Sequence, residues 1–346
     1  MSELQALEQA LRAAAAAVGR DARHLFVRLG AETSGGILAE CSDAASLAAA
    51  LPRLQELAGG RPLRGVVLPA ADLRGRAAWV AASVAEVRRR PEHACEQVTQ
   101  ALQGEALEPL LHEEGWVLAR LADGYVGWVR DWHLRLVEAR EPAAFAARAA
   151  VRVAKTWGPV WSEPRAGAEP CAETILGTRA ARGRQSGGWS EIELPGGRRG
   201  WLPDAELFSD REPWPRAAAA IVATLRLFLG VPYMWGGKSP KGFDCSGLVQ
   251  FAFGLHGVDL PRDSDQQASC GEPLPHPPAA ADLAPGDLLF FGKERVTHVA
   301  VSLGGGDYLH ARGEVRCNSL VSGSRLHDAE LGALLLGARR VLPQGA

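Results

Sequence analysis

Two tryptophan pairs constrain the middle of the chain. Gly115-Trp116 is followed by Gly124-Tyr125-Val126-Gly127-Trp128-Val129, and Gly188-Trp189 by Gly196, Gly197 and Gly200-Trp201-Leu202, so each pair sets its tryptophans twelve residues apart. A repeat of this kind betrays a duplicated small domain. Glycine-punctuated runs with alternating apolar positions, such as Trp116-Val117-Leu118-Ala119-Arg120-Leu121, read as short strands joined by tight turns. The spacing predicts two small β-barrels, at 79–140 and 141–210, with most tryptophans filling the cores. Tyr125 stands apart, because the second copy carries Arg198 at the equivalent place.

At 346 residues the chain exceeds what one core usually serves, and two to four domains are expected. Residues 1–78 read as a small α/β region: a helix, apolar runs around Leu25 to Leu29 and Ile37 to Leu38, and a helix over Ala44 to Leu57, with no chemical motif. After the repeat, Asp210 to Pro215 reads as a linker, and a helix over Arg216 to Leu229 opens a third kind of domain, stopped by Gly230 and Pro232. With a formal net charge of -2, no broad attraction to nucleic acid or to an anionic membrane is expected. No stretch approaches the 18 or so apolar residues of a membrane span. The opening residues place Glu3 and Glu8 where an export signal carries basic groups, so they read as a surface helix and the expected location is cytoplasmic. The six cysteines form no CxxC pair and are expected to be reduced. The oligomeric state is not legible.

The chemistry concentrates after Gly230. Phe243-Asp244-Cys245-Ser246-Gly247-Leu248-Val249-Gln250-Phe251-Ala252-Phe253 puts a cysteine just before an apolar run and predicts a buried helix with Cys245 in its first turn. Unpaired amides and the helix dipole at that position favour a thiolate, the nucleophile of acyl transfer. Downstream, Val296 to Leu303 alternates as a strand, three glycines turn the chain, and Asp307-Tyr308-Leu309-His310 returns. If Leu303 pairs with Asp307, His298 stands opposite Arg312 and His310 becomes its diagonal neighbour on one face. A cysteine, a histidine base and a third group that orients the base form the generalised catalytic triad. Plainer alternatives stand beside this: Cys245 as a small buried hydrophobe, or Cys245, His298 and His310 as zinc ligands lacking a fourth member. His256, at the end of the helix, suits a cation by the dipole and is given no catalysis.

The repeat, GW then GYxGW, resembles the bacterial SH3-like domains that accompany cell-wall enzymes. The segments Pro232-Tyr233-Met234-Trp235-Gly236-Gly237, Phe243 to Gly247, Leu260-Pro261-Arg262-Asp263-Ser264, Pro285-Gly286-Asp287-Leu288-Leu289-Phe290-Phe291, Thr297-His298-Val299-Ala300 and His310 together resemble the catalytic domain of the NlpC-type peptidases over about 216–343. The resemblance implies an α+β chain: a papain-like NlpC-type catalytic domain at 211–346, preceded by the two SH3-like barrels and the short α/β region. It further implies a cysteine endopeptidase cutting murein-derived peptides between γ-D-glutamate and a diamino acid. Cys245, His298 and His310 would be catalytic, with the Cys245 amide and the Tyr233 hydroxyl on the oxyanion. Tyr125, Asp244 and Asp263 would cap the free amino end of the peptide, with Ser246 and Ser264 as further site residues. No metal or organic cofactor is implied. Arg90 stands where such relatives carry a glutamate just before Pro91, a departure at the amine-binding end. Two rivals are a wall-binding module with an inactive catalytic domain and a related amidase or acyltransferase.

Overall fold

The computed structural model describes residues 3–32, 35–210, 214–276 and 278–343, so 211–213 of the expected linker lie outside the described residues. It forms two compact units: 1–80, 87–96 and 105–144 in one, and 81–86, 97–104 and 145–346 in the other. The division cuts through the first of the two repeats, since residues 81–86 and 97–104 group with the second barrel and the catalytic chain.

In the first unit, Asp43 caps the helix Ala44–Leu57 by accepting the Ser46 amide, and that helix connects the parallel pair Ile37–Cys41 and Leu63–Val67. Val27–Ala31 joins the other edge antiparallel. Leu7 and Leu11 from the helix Glu3–Ala17 pack with Ile37 and Leu54 into one core, which gives the α/β region its own interior. The barrel strands of this unit run in the order Leu134–Glu138, Arg76–Val80, Ala106–Glu113, Trp116–Arg120, Val126–Arg130, all antiparallel. Glu114 and Gly115, both at positive φ (47° and 77°), make the tight turn that aligns Glu113 with Trp116. Trp116 and Trp128 are buried with Leu110 and Leu118, as the alternation required.

In the second unit, a seven-stranded sheet carries the other repeat around a core of Val151, Val153, Val160, Ile192, Leu194 and Leu202. Its Trp189 is only half-buried, so the second copy uses its tryptophans less completely than the first. The catalytic part is a six-stranded antiparallel sheet in the order Glu272–Pro273, Leu335–Arg340, Leu288–Gly292, Val296–Gly304, Asp307–Arg312, Glu314–Ser319. The helix Cys245–Leu255 lies against it, with Leu248, Val249 and Ala252 sharing a core with Val299, Val301 and Leu309. The opening helix spans Ala218–Arg226, shorter than expected at both ends, and Ala217 gives it no side-chain cap. Among the described residues, no helix is long and apolar enough to cross a membrane.

Candidate active site

The hairpin that carries the two histidines keeps the expected register away from its turn, with Val301 opposite Leu309 and Ser302 opposite Tyr308. A bulge at the glycines pairs Asp307 with Gly304 instead of Leu303, which absorbs one residue without moving either histidine to the other face. His298 Nε2 lies 2.8 Å from His310 Nδ1, the two rings edge to face at 5.0 Å. His310 is fully buried. Its second nitrogen, Nε2, meets Asn318 Oδ1 at 2.9 Å. A direct bond between the rings leaves neither of the bonded nitrogens for a metal, which argues against the zinc alternative.

The nucleophile's turn is built around a buried carboxylate. Asp244, the N-cap of the helix, accepts the Gly247 amide on Oδ1 at 2.7 Å and the Gly236 amide on Oδ2 at 3.0 Å. Arg262, itself buried, forks onto the same two oxygens at 3.0 and 2.5 Å, donates to Ser246 Oγ at 3.0 Å, and through Nε to Thr99 Oγ1 at 2.7 Å. Gln267 donates to the Ser246 and Pro261 carbonyls. Arg262 and Gln267 therefore bind the segment holding Asp263 and Ser264 to the nucleophile's turn. Asp263 is the N-cap residue of the short helix Ser264–Gln267, and Ser264 is buried in its first turn.

Cys245 is buried beside the backbone of Val299, the residue after His298. Burial first, and then the Asp244 charge, push its thiol up to about 11. That corrects the expectation of a thiolate. The helix N-terminus is already occupied by the Asp244 carboxylate, and the same carboxylate disfavours a second negative charge next to it. Burial lowers the affinity of both histidines for a proton, and for His298 the His310 and Arg312 charges add to it. Burial thus favours the neutral form of each group, the thiol of Cys245 and the imidazole of His298. Tyr233 is half-buried near Cys245, and burial followed by the Cys245 and Asp244 charges raises its phenol to about 12, so it remains a hydrogen-bond donor. His256 also differs from expectation. It is buried between the Pro215 carbonyl (2.6 Å) and Thr224 Oγ1 (2.9 Å), and burial disfavours the cation that the helix dipole would have welcomed.

Tyr125 belongs to the other compact unit, where it is buried with its ring edge-on to His24 at 6.3 Å and its amide donating to Asp123. Arg90, in the same unit, is exposed and ion-paired with Glu92 at 3.3 Å.

The model of the NlpC/P60 family matches residues 230–329, and that of a bacterial dipeptidyl-peptidase SH3 domain matches 87–134. A γ-D-glutamyl-L-lysine dipeptidyl-peptidase of Bacillus cereus is 30% identical over 263 residues, covering 71% of this chain and 75% of the relative. The chain belongs to the NlpC/P60 family. It is a cysteine peptidase of the kind that acts on peptidoglycan. A γ-D-glutamyl-L-lysine dipeptidyl-peptidase of Bacillus subtilis is 44% identical over 98 residues, 27% of this chain and 32% of that one. The crystal structure of an NlpC/P60 family protein from Bacillus cereus superposes with a TM-score of 0.66 at 25% identity, covering 77% of this chain and all of that one. Within this NlpC/P60 site, sequence reasoning missed Thr99, Gln267 and Asn318 and gave Arg262 no role. Only Arg262 left a signal, an arginine next to the Asp263-Ser264 pair in a segment otherwise read for its acid and hydroxyl.

Proposed function

We propose that this peptidase cuts the γ-D-glutamyl–diamino acid bond of murein-derived peptides that begin with a free L-alanine. The observation that carries the reading is the thiol of Cys245 buried in the first turn of its helix against the strand of His298, whose Nε2 is held by His310 at 2.8 Å. As the sulfur attacks the γ-carbonyl carbon, His298 takes the thiol proton. The oxyanion that forms is met by the Cys245 amide and the Tyr233 hydroxyl, contacts whose loss costs on the order of 3 kcal/mol each. Collapse expels the amine of the diamino acid, which takes the proton from His298 and leaves a thioester. Water, deprotonated by His298, then releases the L-Ala-γ-D-Glu dipeptide and restores the thiol.

The family resemblance assigns recognition of the free amine to Tyr125, Asp244 and Asp263, with Ser246 and Ser264 as further substrate-binding residues. Asp244 has both oxygens tied to Arg262 and backbone amides, so much of its charge is already compensated. Arg90 is exposed and pairs with Glu92, which offsets part of the charge it brings to the place where relatives carry a glutamate. A peptide requirement of this kind suits recycling inside the cell, because intact murein has that nitrogen bonded to sugar. The names of the two Bacillus relatives support the bond assigned. The test is mass spectrometry of L-Ala-γ-D-Glu-diaminopimelate and its lysine analogue, each free and N-acetylated. Cleavage of the free peptides alone is expected, with Tyr125→Ala narrowing the difference. Equal cleavage of free and acetylated peptides would refute the amine requirement.

A further inference from the structure

The chain of hydrogen bonds that starts at His298 ends on a backbone carbonyl. Asn318 Nδ2 donates to the Leu326 carbonyl at 3.2 Å, and Asn318 Oδ1 meets His310 Nε2 at 2.9 Å. Each link has one chemical solution. A carbonyl only accepts, so the amide must turn its NH₂ to Leu326 and its oxygen to His310. That oxygen only accepts in turn, so His310 Nε2 carries a hydrogen. A neutral imidazole carries one hydrogen, which leaves His310 Nδ1 bare and able to accept from His298 Nε2. His298 Nε2 then carries the hydrogen, and His298 Nδ1 is the bare nitrogen.

We propose that Asn318 is a positioning residue that fixes both histidine tautomers, through the chain Leu326 carbonyl, Asn318, His310, His298, so that the Nδ1 lone pair of His298 is the base for Cys245. The inference rests on the reading of His298 as that base. The surroundings fit a neutral relay. Arg316 stands directly across from His310 on the neighbouring strand, Tyr308 packs edge-on to it at 5.3 Å, and Arg312 on its own strand is ion-paired with Asp328 at 3.3 Å. Burial keeps both rings uncharged, so an amide serves where a carboxylate would pull a proton onto the pair. Without the amide oxygen, a buried Nε2–H loses its partner. His310 then gains by moving its hydrogen to Nδ1, and His298 must answer by placing a hydrogen on Nδ1, where the base is needed.

The first measurement is a long-range ¹H–¹⁵N correlation spectrum of the full chain carrying Cys245→Ala, which reads each ring's tautomer without needing turnover. Both histidines are expected with hydrogen on Nε2, and a hydrogen on His298 Nδ1 would overturn the proposal. In the active protein, Asn318→Leu should lower kcat roughly ten- to a hundredfold, as expected for one buried donor left without a partner, with KM little changed and His298 moved toward the Nδ1–H form. Asn318→Asp keeps the acceptor and adds charge, so the acidic limb of kcat/KM should move to higher pH. Unchanged tautomers and kcat in Asn318→Leu, or an unmoved limb in Asn318→Asp, would also overturn it; should Asn318→Leu fail to fold, the other two measurements decide. Turnover by His298→Ala would instead sink the catalytic reading and leave the tautomer result standing.

Discussion

Arg262 offers the sharpest test of how the nucleophile is held. Replacing it with methionine keeps much of the side-chain volume but removes a cation whose side chain is 1% exposed, together with its bonds to Asp244, Ser246 and Thr99. The carboxylate of Asp244, 11% exposed at its side chain, stays buried without its counter-charge. Breaking a buried pair from one side costs about 3–5 kcal/mol. Because Asp244 still accepts from the Gly236 and Gly247 amides, the lower end, about 3 kcal/mol, is expected. Adding Asp244→Asn should recover part of that loss, since the amide caps the helix without an unpaired charge. The assay is denaturant unfolding of the single and double variants, read alongside the rate at which iodoacetamide alkylates Cys245. The Arg262 charge lowers the thiol's pKa, so the single variant should also alkylate more slowly. A single variant within about 1 kcal/mol of wild type, or a double variant less stable than the single, would refute the role of the pair.

Two further outcomes follow from the histidines. His310→Ala should cut kcat by a smaller factor than the loss of His298, and His310→Gln should restore part of it, because the glutamine oxygen can accept from His298 Nε2; equal and total inactivation by both changes would contradict an orienting role. Burial lowers the pKa of His298 in the folded enzyme, so the base stays neutral through the ordinary histidine range near 6.5. The acidic limb of kcat/KM should therefore fall below about pH 6.5, and a limb at or above that value in the wild type would show that the ring is not held in this environment. His256 and His310 share the same lowering. The unfolded chain thus binds more protons than the folded one below about pH 6.5, and stability should decline as pH falls through that value.

The local elements of the site were legible because each rests on a short-range rule. The apolar run after Cys245 has the length and punctuation of a helix, and it forms over Cys245–Leu255. The alternation around His298 and the three glycines fix a hairpin whose register follows from counting, which by itself sets His310 beside His298. The tryptophan spacing gave the barrels for the same reason. What escaped depends on residues far apart in sequence. Thr99 meets Arg262 across 163 positions, and no periodicity connects a strand of one repeat to the fork that holds Asp244. Asn318 lies one strand beyond His310, where nothing in Arg316-Cys317-Asn318 marks it as a partner. The thiol was misjudged for a different reason. The helix dipole is a rule about backbone, and at this helix the carboxylate of Asp244 fills the N-terminus and brings its own charge next to the sulfur.

The strand Gln97–Leu102 changes what counts as a separable part of this enzyme. By repeat arithmetic it belongs to the first barrel, yet Thr99 binds Arg262, Gln100 accepts the Lys238 amide at 2.9 Å, and Gln97 donates to the Trp235 carbonyl at 3.0 Å. A peptidase excised at residue 214 would lose all three contacts and expose a buried guanidinium to the loss of one of its acceptors. Gene fusion and truncation treat such chains as strings of interchangeable cassettes, and recombination that swapped the accessory barrel for another would here remove a piece of the wall behind the nucleophile. A substitution in this strand is therefore answerable to the chemistry of residues more than a hundred positions away.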